Sequence, residues 1–192
     1  MTIFLVRHGE TEWNRIGRYQ GWLDSPLTPL GIAQAEAIGR RLATLPEAAA
    51  AAIVASPLDR AQRTAAIVAR CLGRPEPPRL DARLREVTLG AWDGLDRGEA
   101  RARVRHLGAG AGRHEWYFCG PDGESYEAFA GRIAAWLGEQ DEAPVIAVCH
   151  GVVSRVLRGL YAGLPRAAAL ALAVPQDRIY RLAAGRVDEV AA

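Results

Sequence analysis

Apolar and polar positions follow one another along this chain in a rhythm that predicts short buried strands, each leading into an amphipathic helix. Residues 2–7 contain the unbroken apolar run Ile3-Phe4-Leu5-Val6, as expected of a strand covered on both faces. Thr28 and Pro29 read as the N-cap and first residue of a helix whose apolar stripe would be Leu30, Ala33, Ala37, Ile38, Leu42 and Leu45, ended by Pro46. The alanine run 48–52 is ambiguous by composition. Residues 52–55 fit a strand, because Ser56-Pro57-Leu58-Asp59 then opens a helix as a capping-box variant, with Ile67, Val68 and Leu72 inward and Gly73 as its C-cap. Residues 79–84 read as a further strand, 98–106 as a short helix and 107–122 as an irregular excursion. A helix follows Pro121-Asp122-Gly123-Glu124-Ser125, with Phe129, Ile133, Trp136 and Leu137 inward. Residues 144–149 form a second wholly apolar strand, followed by a helix at 152–162. The segments 170–174 and 179–182 read as closing strands, with Gln176-Asp177 as a turn.

Strands alternating with helices predict an α/β fold, three layers α/β/α around a mainly parallel sheet, organised as a single domain over 1–192 with 98–122 as a variable excursion. The length of 192 residues suits one core. A hydrophobic content of 49% and a charged content of 24% are ordinary for a globular protein. The net charge of +2 gives no global field pointing to nucleic acid or to a membrane. All 24 basic residues are arginine, which excludes a Schiff-base lysine and a P-loop lysine. Cys71, Cys119 and Cys149 are too few and too scattered for a disulfide framework or a cysteine-based zinc site. There is no charged n-region with a long apolar stretch and no run of membrane-spanning length, so a cytoplasmic protein is expected.

The candidate chemistry lies where strands end. The first strand runs into Arg7-His8-Gly9 and the second apolar strand into Cys149-His150-Gly151. In open α/β sheets ligands bind beyond the carboxyl ends of the strands, so both imidazoles can share one crevice. A third strand end delivers Ser56-Pro57-Leu58-Asp59-Arg60, and arginine matches phosphate bidentately. One histidine at a strand end is ordinarily structural, and one arginine on a helix is ordinarily solvated. Three strand ends supplying Arg7, His8, Arg60 and His150 point instead to a phosphate ester. A neutral imidazole is a competent nucleophile toward phosphorus when its other nitrogen is hydrogen-bonded. Gly151 precedes a helix whose free amides would favour an anion. Cys149 points away from His150 on an extended strand and is assigned to the core.

A metal site built from His8, His150, Glu10 and Glu12 is the weaker alternative, because nearby guanidinium groups repel a divalent cation. No Gly-x-Ser-x-Gly supports a serine hydrolase. Arg97, Arg101, Arg103 and Arg105 read as a solvated helix face.

The chain resembles the histidine phosphatase superfamily, the phosphoglycerate-mutase-like branch, over nearly its whole length. The resemblance rests on Arg7-His8-Gly9-Glu10-Thr11-Glu12-Trp13-Asn14, Tyr19-Gln20-Gly21-Trp22 with Asp24, Pro26-Leu27-Thr28 and Gly31. It continues through Ser56-Pro57 with Arg60-Ala61 and Thr64, Leu84-Arg85-Glu86 with Gly90, Trp92 and Gly94, then Gly123-Glu124-Ser125 and His150-Gly151. The resemblance implies a phosphoglycerate mutase-like fold and His8 as the phosphorylated nucleophile. Arg7, Arg60, His150 and Gly151 would hold the transferred phosphoryl group, with Asn14 assisting and Gln20 and Gly21 on the substrate side. Glu86, which patterning alone does not single out, would be the general acid toward the leaving oxygen and then the base for water. No metal or other cofactor is implied, since arginines supply the charge stabilisation. The implied partner is a small-molecule phosphate ester, with no nucleic acid and no membrane, and a homodimer is compatible with the family.

The superfamily holds both phosphatases and cofactor-dependent mutases. Gln20 stands where glycolytic mutases of the family typically carry threonine, and Glu86 is followed by Val-Thr-Leu-Gly-Ala-Trp-Asp-Gly, the pattern of small phosphatases. With no lysine for a substrate carboxylate, the expectation is metal-independent phosphomonoester hydrolysis through phosphohistidine. The alternatives are phosphoglycerate mutase, α-ribazole phosphate as the specific substrate, and a phospho-ligand-binding module without catalysis. Within 106–119, His106, Arg113, His114, Trp116, Tyr117 and Phe118 are expected over the crevice, where aromatics would stack on a ring or else pack onto the core.

Overall fold

The structure is a computed structural model, and it describes residues 1–74, 76–105 and 114–192. Its sheet holds β1 (Thr2–Arg7), β2 (Ala52–Ala55), β3 (Arg79–Leu80), β4 (Val145–Cys149), β5 (Arg178–Ala183) and β6 (Arg186–Ala191), in the order β3-β2-β4-β1-β5-β6. The pairs β3–β2, β2–β4 and β4–β1 are parallel, whereas β5 and β6 are antiparallel additions at one edge. The sheet is thus mainly parallel, as the alternation of strands and helices predicts. The central strands are apolar throughout because each face is roofed by helices. Phe4 and Val6 point to one side, Ile3 and Leu5 to the other, and all four are essentially inaccessible to solvent.

On the first side pack α2 (Pro29–Ala43), α3 (Pro46–Ala49) and α4 (Asp59–Cys71), through Ile38, Leu42, Ala48, Ala61, Ala65 and Val68. On the second lie α5 (Arg97–Val104), α6 (Tyr126–Gly138), α7 (Gly151–Tyr161) and α8 (Arg166–Ala171), through Ala100, Phe129, Ile133, Trp136, Val153, Leu157 and Leu170. The short helix α1 (Glu12–Ile16) follows β1 directly. Each fully buried Leu, Ile or Phe contributes about 1.5–3 kcal/mol over exposure, so these two interfaces hold the three layers together. No helix of the described residues is long and apolar enough to cross a membrane.

Local readings of the sequence fail in four places, each for a physical reason. The buried face of α2 is Gly31, Ala35, Ile38, Gly39 and Leu42, while Leu30 and Ala33 face solvent. Gly31 must turn inward because its backbone lies against the loop after β1. A Cβ there would stand 2.0 Å from the Glu10 carbonyl oxygen. Ser56 does not cap α4, whose N-cap position is Leu58 with no side-chain bond of its own. Asp24 accepts from the Asp59 and Arg60 amides instead. Residues 79–84 yield only the two-residue β3 and then a 3₁₀ turn at Ala82–Leu84. Residues 170–174 are not a strand. Leu170 and Ala171 close α8, and the outer partner of β5 is β6, reached through Ala184 and Gly185, both in the left-handed region. Charged residues at 186, 188 and 189 hide the apolar alternation of β6, as is common on an exposed edge.

Candidate active site

Adjacent strand ends set the geometry. Arg7 pairs with Cys149 in the β1–β4 register, so the next residues, His8 and His150, leave the sheet side by side. The His8 amide donates to the Cys149 carbonyl at 2.9 Å, and the two ring centroids are 5.2 Å apart. Thr11 then caps α1 in a reciprocal capping box with Asn14. The loop from 8 to 11 is thereby fixed against α2.

Both imidazoles are buried, His8 at 3% exposure and His150 at 0%. His8 Nδ1 lies 2.8 Å from the Gly9 carbonyl oxygen, which can only accept. Nδ1 must therefore carry the proton, and Nε2 presents the lone pair. Burial, then the charges of Arg60 and Arg7, hold the His8 pKa well below its ordinary value. Burial also depresses His150, with Arg60, His8 and Arg7 adding to it. Both rings are neutral at pH 7, the state in which an imidazole can attack phosphorus. His150 Nε2 is 2.7 Å from the Ser56 hydroxyl, which explains why Ser56 is not a helix cap.

Arg60 is 1% exposed and almost wholly pinned. Its Nη1 donates to the Leu23 carbonyl and to Asp24, each at 2.7 Å, and its Nη2 to the Gly21 carbonyl at 2.8 Å. Arg7 Nη1 donates to the Val174 carbonyl at 2.6 Å. What these groups leave unpaired is informative. Of five buried side-chain nitrogens or oxygens without a partner among the described residues, three are Arg7 Nε, Arg60 Nε and His150 Nδ1. Buried polar atoms left unpaired cost about 1–3 kcal/mol each, and the two guanidinium donors among them are fitted to the acceptors of a ligand. Two guanidinium groups specify an anion. Among the described residues no three His, Cys, Asp or Glu side chains gather as metal ligands.

Glu86 enters the same cleft from the loop after the 3₁₀ turn. Its carboxylate accepts from the Val152 amide at 3.0 Å, the Val153 amide at 3.3 Å and its neighbour Val87 at 3.1 Å. The start of α7 does attract an anion, but that anion is the Glu86 side chain rather than a free ligand. The Glu86 backbone is clamped in turn. Its carbonyl accepts from Trp22 Nε1 at 2.8 Å and from Arg132, which also binds the Arg83 and Arg85 carbonyls and forms an ion pair with Glu124. These clamping residues escape sequence reasoning, because a helix-borne arginine such as Arg132 has no local pattern.

The cleft of about 200 Å³ is lined by Arg7, His8, Asn14, Gln20, Gly21, Arg60, Glu86 and Gly151, which gathers the sequence-derived candidates except His150, which lies wholly buried beside His8 and outside that lining. Asn14 Oδ1 accepts from the Thr11 amide and from Gln176 Nε2, so its amide donors are the atoms left for a ligand. Gln20 is buried, and its Oε1 accepts from the Ser25 hydroxyl. Gly21 acts through its backbone. It adopts φ +53°, and a Cβ would fall 1.6 Å from Asp93 Oδ1. Cys149 is in the core, where burial pushes its thiol pKa up, as expected.

The aromatic segment divides. Trp116 is buried in the core and Phe118 packs on Tyr126 and Phe129, while Tyr117 lines the cleft. His106 and Arg113 lie outside the described residues. Arg101, Arg103 and Arg105 are exposed as expected, but Arg97 reaches the cleft, as do Arg18 and Arg155.

The model of the histidine phosphatase superfamily (branch 1) matches residues 3–188. A probable phosphoglycerate mutase, GpmB, of Citrobacter koseri is 38% identical over 175 residues, covering 86% of this chain and 76% of that protein. An Escherichia coli structure assigned as an alpha-ribazole-5'-P phosphatase superposes with a TM-score of 0.80 at 25% identity, over 100% of this chain and 96% of the other. A mycobacterial glucosyl-3-phosphoglycerate phosphatase gives a TM-score of 0.77 at 30% identity, again over 100% and 96%.

Proposed function

This chain belongs to the histidine phosphatase superfamily, and from that premise we propose that it hydrolyses small phosphomonoesters without a metal, through a phosphohistidine at His8. The observation that carries the reading is the buried floor in which Arg7 Nε, Arg60 Nε and His150 Nδ1 lack partners beside a neutral His8 whose tautomer exposes Nε2. A phosphoryl group supplies the acceptors that the two guanidinium donors require.

In the first step His8 Nε2 attacks phosphorus in line and the P–O bond to the alcohol breaks. Arg7 and Arg60 stabilise the charge on the equatorial oxygens. Glu86 takes up the proton that the monoanionic ester brings as it binds, and gives it to the departing oxygen. In the second step Glu86 takes a proton from water, the oxygen attacks phosphorus, and the N–P bond breaks to release phosphate and neutral His8. Asn14 and Gly151 complete the phosphoryl pocket, and Gln20 and Gly21 face the alcohol side.

A phosphoglycerate mutase is the second reading, favoured by the name of the Citrobacter koseri relative. A mutase must return the phosphoryl group without admitting water. Gln20 and the short segment after Glu86 favour hydrolysis. Phosphorus NMR of the protein with 3-phosphoglycerate primed by 2,3-bisphosphoglycerate, in EDTA, separates the two. Release of inorganic phosphate is the expected result. 2-Phosphoglycerate appearing much faster than phosphate would make it a mutase, and bound phosphate with no turnover of any ester would make it a binding module.

A further inference from the structure

The cleft holds more positive charge than one phosphoryl group uses. Five arginines line it, Arg7, Arg18, Arg60, Arg97 and Arg155, against the single carboxylate of Glu86. Arg7 and Arg60 belong to the floor. Arg18 is committed elsewhere, donating to the Gly94 carbonyl and lying over the Trp13 ring. Glu86 is occupied by three backbone amides. Among the described residues neither Arg97 nor Arg155 has an ion-pair partner, although acidic residues pair with many of the other arginines.

Arg155 has the better-defined position of the two. It follows Gly151 by one helical turn on α7, so it shares the cleft-facing side of the helix with Gly151 and Val152, whose amide holds Glu86. Its Nε donates to the Leu172 carbonyl at 2.8 Å, which fixes the side chain, and the guanidinium also hydrogen-bonds the Tyr117 hydroxyl. Tyr117 stands beside it. Burial pushes the Tyr117 phenol pKa up, and the charge of Arg155 opposes that rise. A fixed guanidinium next to a neutral hydroxyl, on the helix whose first amides hold Glu86, adds a cation to the cleft beyond the Arg7 and Arg60 floor.

We propose that Arg155, with the Tyr117 hydroxyl, binds a second anionic group carried by the alcohol half of the substrate, a carboxylate or another phosphate. The preferred substrates are then phosphomonoesters of acidic alcohols rather than of neutral ones. This inference rests on the phosphatase reading and names its substrate class.

The test compares matched esters on the intact protein. 3-Phosphoglycerate and glycerol 3-phosphate differ by a carboxylate in place of a hydroxymethyl group, and fructose 1,6-bisphosphate and fructose 6-phosphate differ by a phosphate. A charge-assisted pair should give the anionic member of one couple a kcat/KM about tenfold or more higher, carried mainly by KM. The couple that discriminates identifies which anion the site takes. R155Q should remove that preference, lowering kcat/KM for the anionic member of the couple about tenfold more than for its partner, and R155K should restore part of the difference. Equal kcat/KM for both members of both couples in the unmodified protein would overturn the proposal without needing any variant to fold. Equal losses from R97Q and R155Q that vanish in high salt would also overturn it, since they report a long-range field and not a seated contact. Absence of phosphate release from all four esters and from p-nitrophenyl phosphate would instead count against the phosphatase reading.

Discussion

The floor of the cleft and its rim draw their groups from different parts of the fold. On the floor, Arg7 and Arg60 are held by main-chain carbonyls of Val174, Leu23 and Gly21, and His8 by the Gly9 carbonyl. Those acceptors cannot rotate away, so the groups that would meet a phosphoryl group are positioned before any ligand arrives. On the rim, Arg97, Arg155 and Tyr117 come from three separate elements, α5, α7 and the 3₁₀ turn at Glu115–Phe118. The contrast teaches a division of labour. Strand ends carry the proposed nucleophile and the floor arginines, and the elements that roof the cleft carry the groups proposed to select the alcohol.

If that division holds, substitutions on the floor abolish turnover and substitutions on the rim re-sort substrates. The largest effect expected is His8→Ala, which removes the attacking atom and should lower kcat by roughly 10⁴-fold or more for every ester. Initial-rate assays on several substrates check this, and substantial turnover in a clean preparation would break the comparison at its root. Glu86→Gln should cost about 10²–10⁴-fold in kcat/KM for alkyl phosphates but far less in kcat/KM for p-nitrophenyl phosphate, whose leaving group needs little protonation, while kcat falls for both because water loses its base. A uniform loss of kcat/KM on both substrates would move Glu86 from proton donation to a positioning role.

Asp24→Ala sharpens the floor. It takes a carboxylate from the nearly inaccessible Arg60 and a cap from the start of α4. About 2–3 kcal/mol of stability should be lost, because Arg60 keeps its two carbonyl acceptors and Asp24 is itself partly exposed. Chemical denaturation measures this loss, and kcat/KM should fall roughly tenfold or more for all esters alike.

An effect on stability alone is one of pH. His8 and His150 have folded pKa values held well below the ordinary 6.5 by burial. Below pH 6.5 the unfolded chain therefore binds protons that the folded one refuses, and stability falls as pH drops toward the folded values. The contribution is fully present above about pH 7.5, and the slope below 6.5 approaches at most about 2.7 kcal/mol per pH unit for the two groups. Urea midpoints between pH 7.5 and 5.5 should show this slope, and a His8→Asn, His150→Asn double variant should be flatter there.

The same contrast explains what the sequence made legible. The floor is readable because its residues sit immediately after apolar strands, at Arg7-His8-Gly9, Ser56 to Arg60 and His150-Gly151, and parallel pairing of those strands brings them together. The sheet class is readable for the same reason. Glu86 became a candidate only through family resemblance, since nothing local marks a carboxylate that will be held by amides from a helix more than sixty residues later. Arg155 and Arg97 were invisible as site residues because helix-borne arginines look alike whether they meet solvent or a cleft. The misread stripe of α2 has the same origin. Gly31 turns inward to meet the backbone after β1, and hydrophobicity cannot register a contact made by the absence of a side chain.

The most direct test is to trap the intermediate. The protein is mixed briefly with a ³²P-labelled phosphomonoester, quenched in alkali and digested, and the label is located by mass spectrometry. The account predicts an alkali-stable, acid-labile phosphoryl group on the peptide bearing His8, absent from His8→Ala and accumulating in Glu86→Gln if dephosphorylation is slowed. Label on a different residue, or single-turnover hydrolysis with no phosphoprotein at any time point, would contradict it.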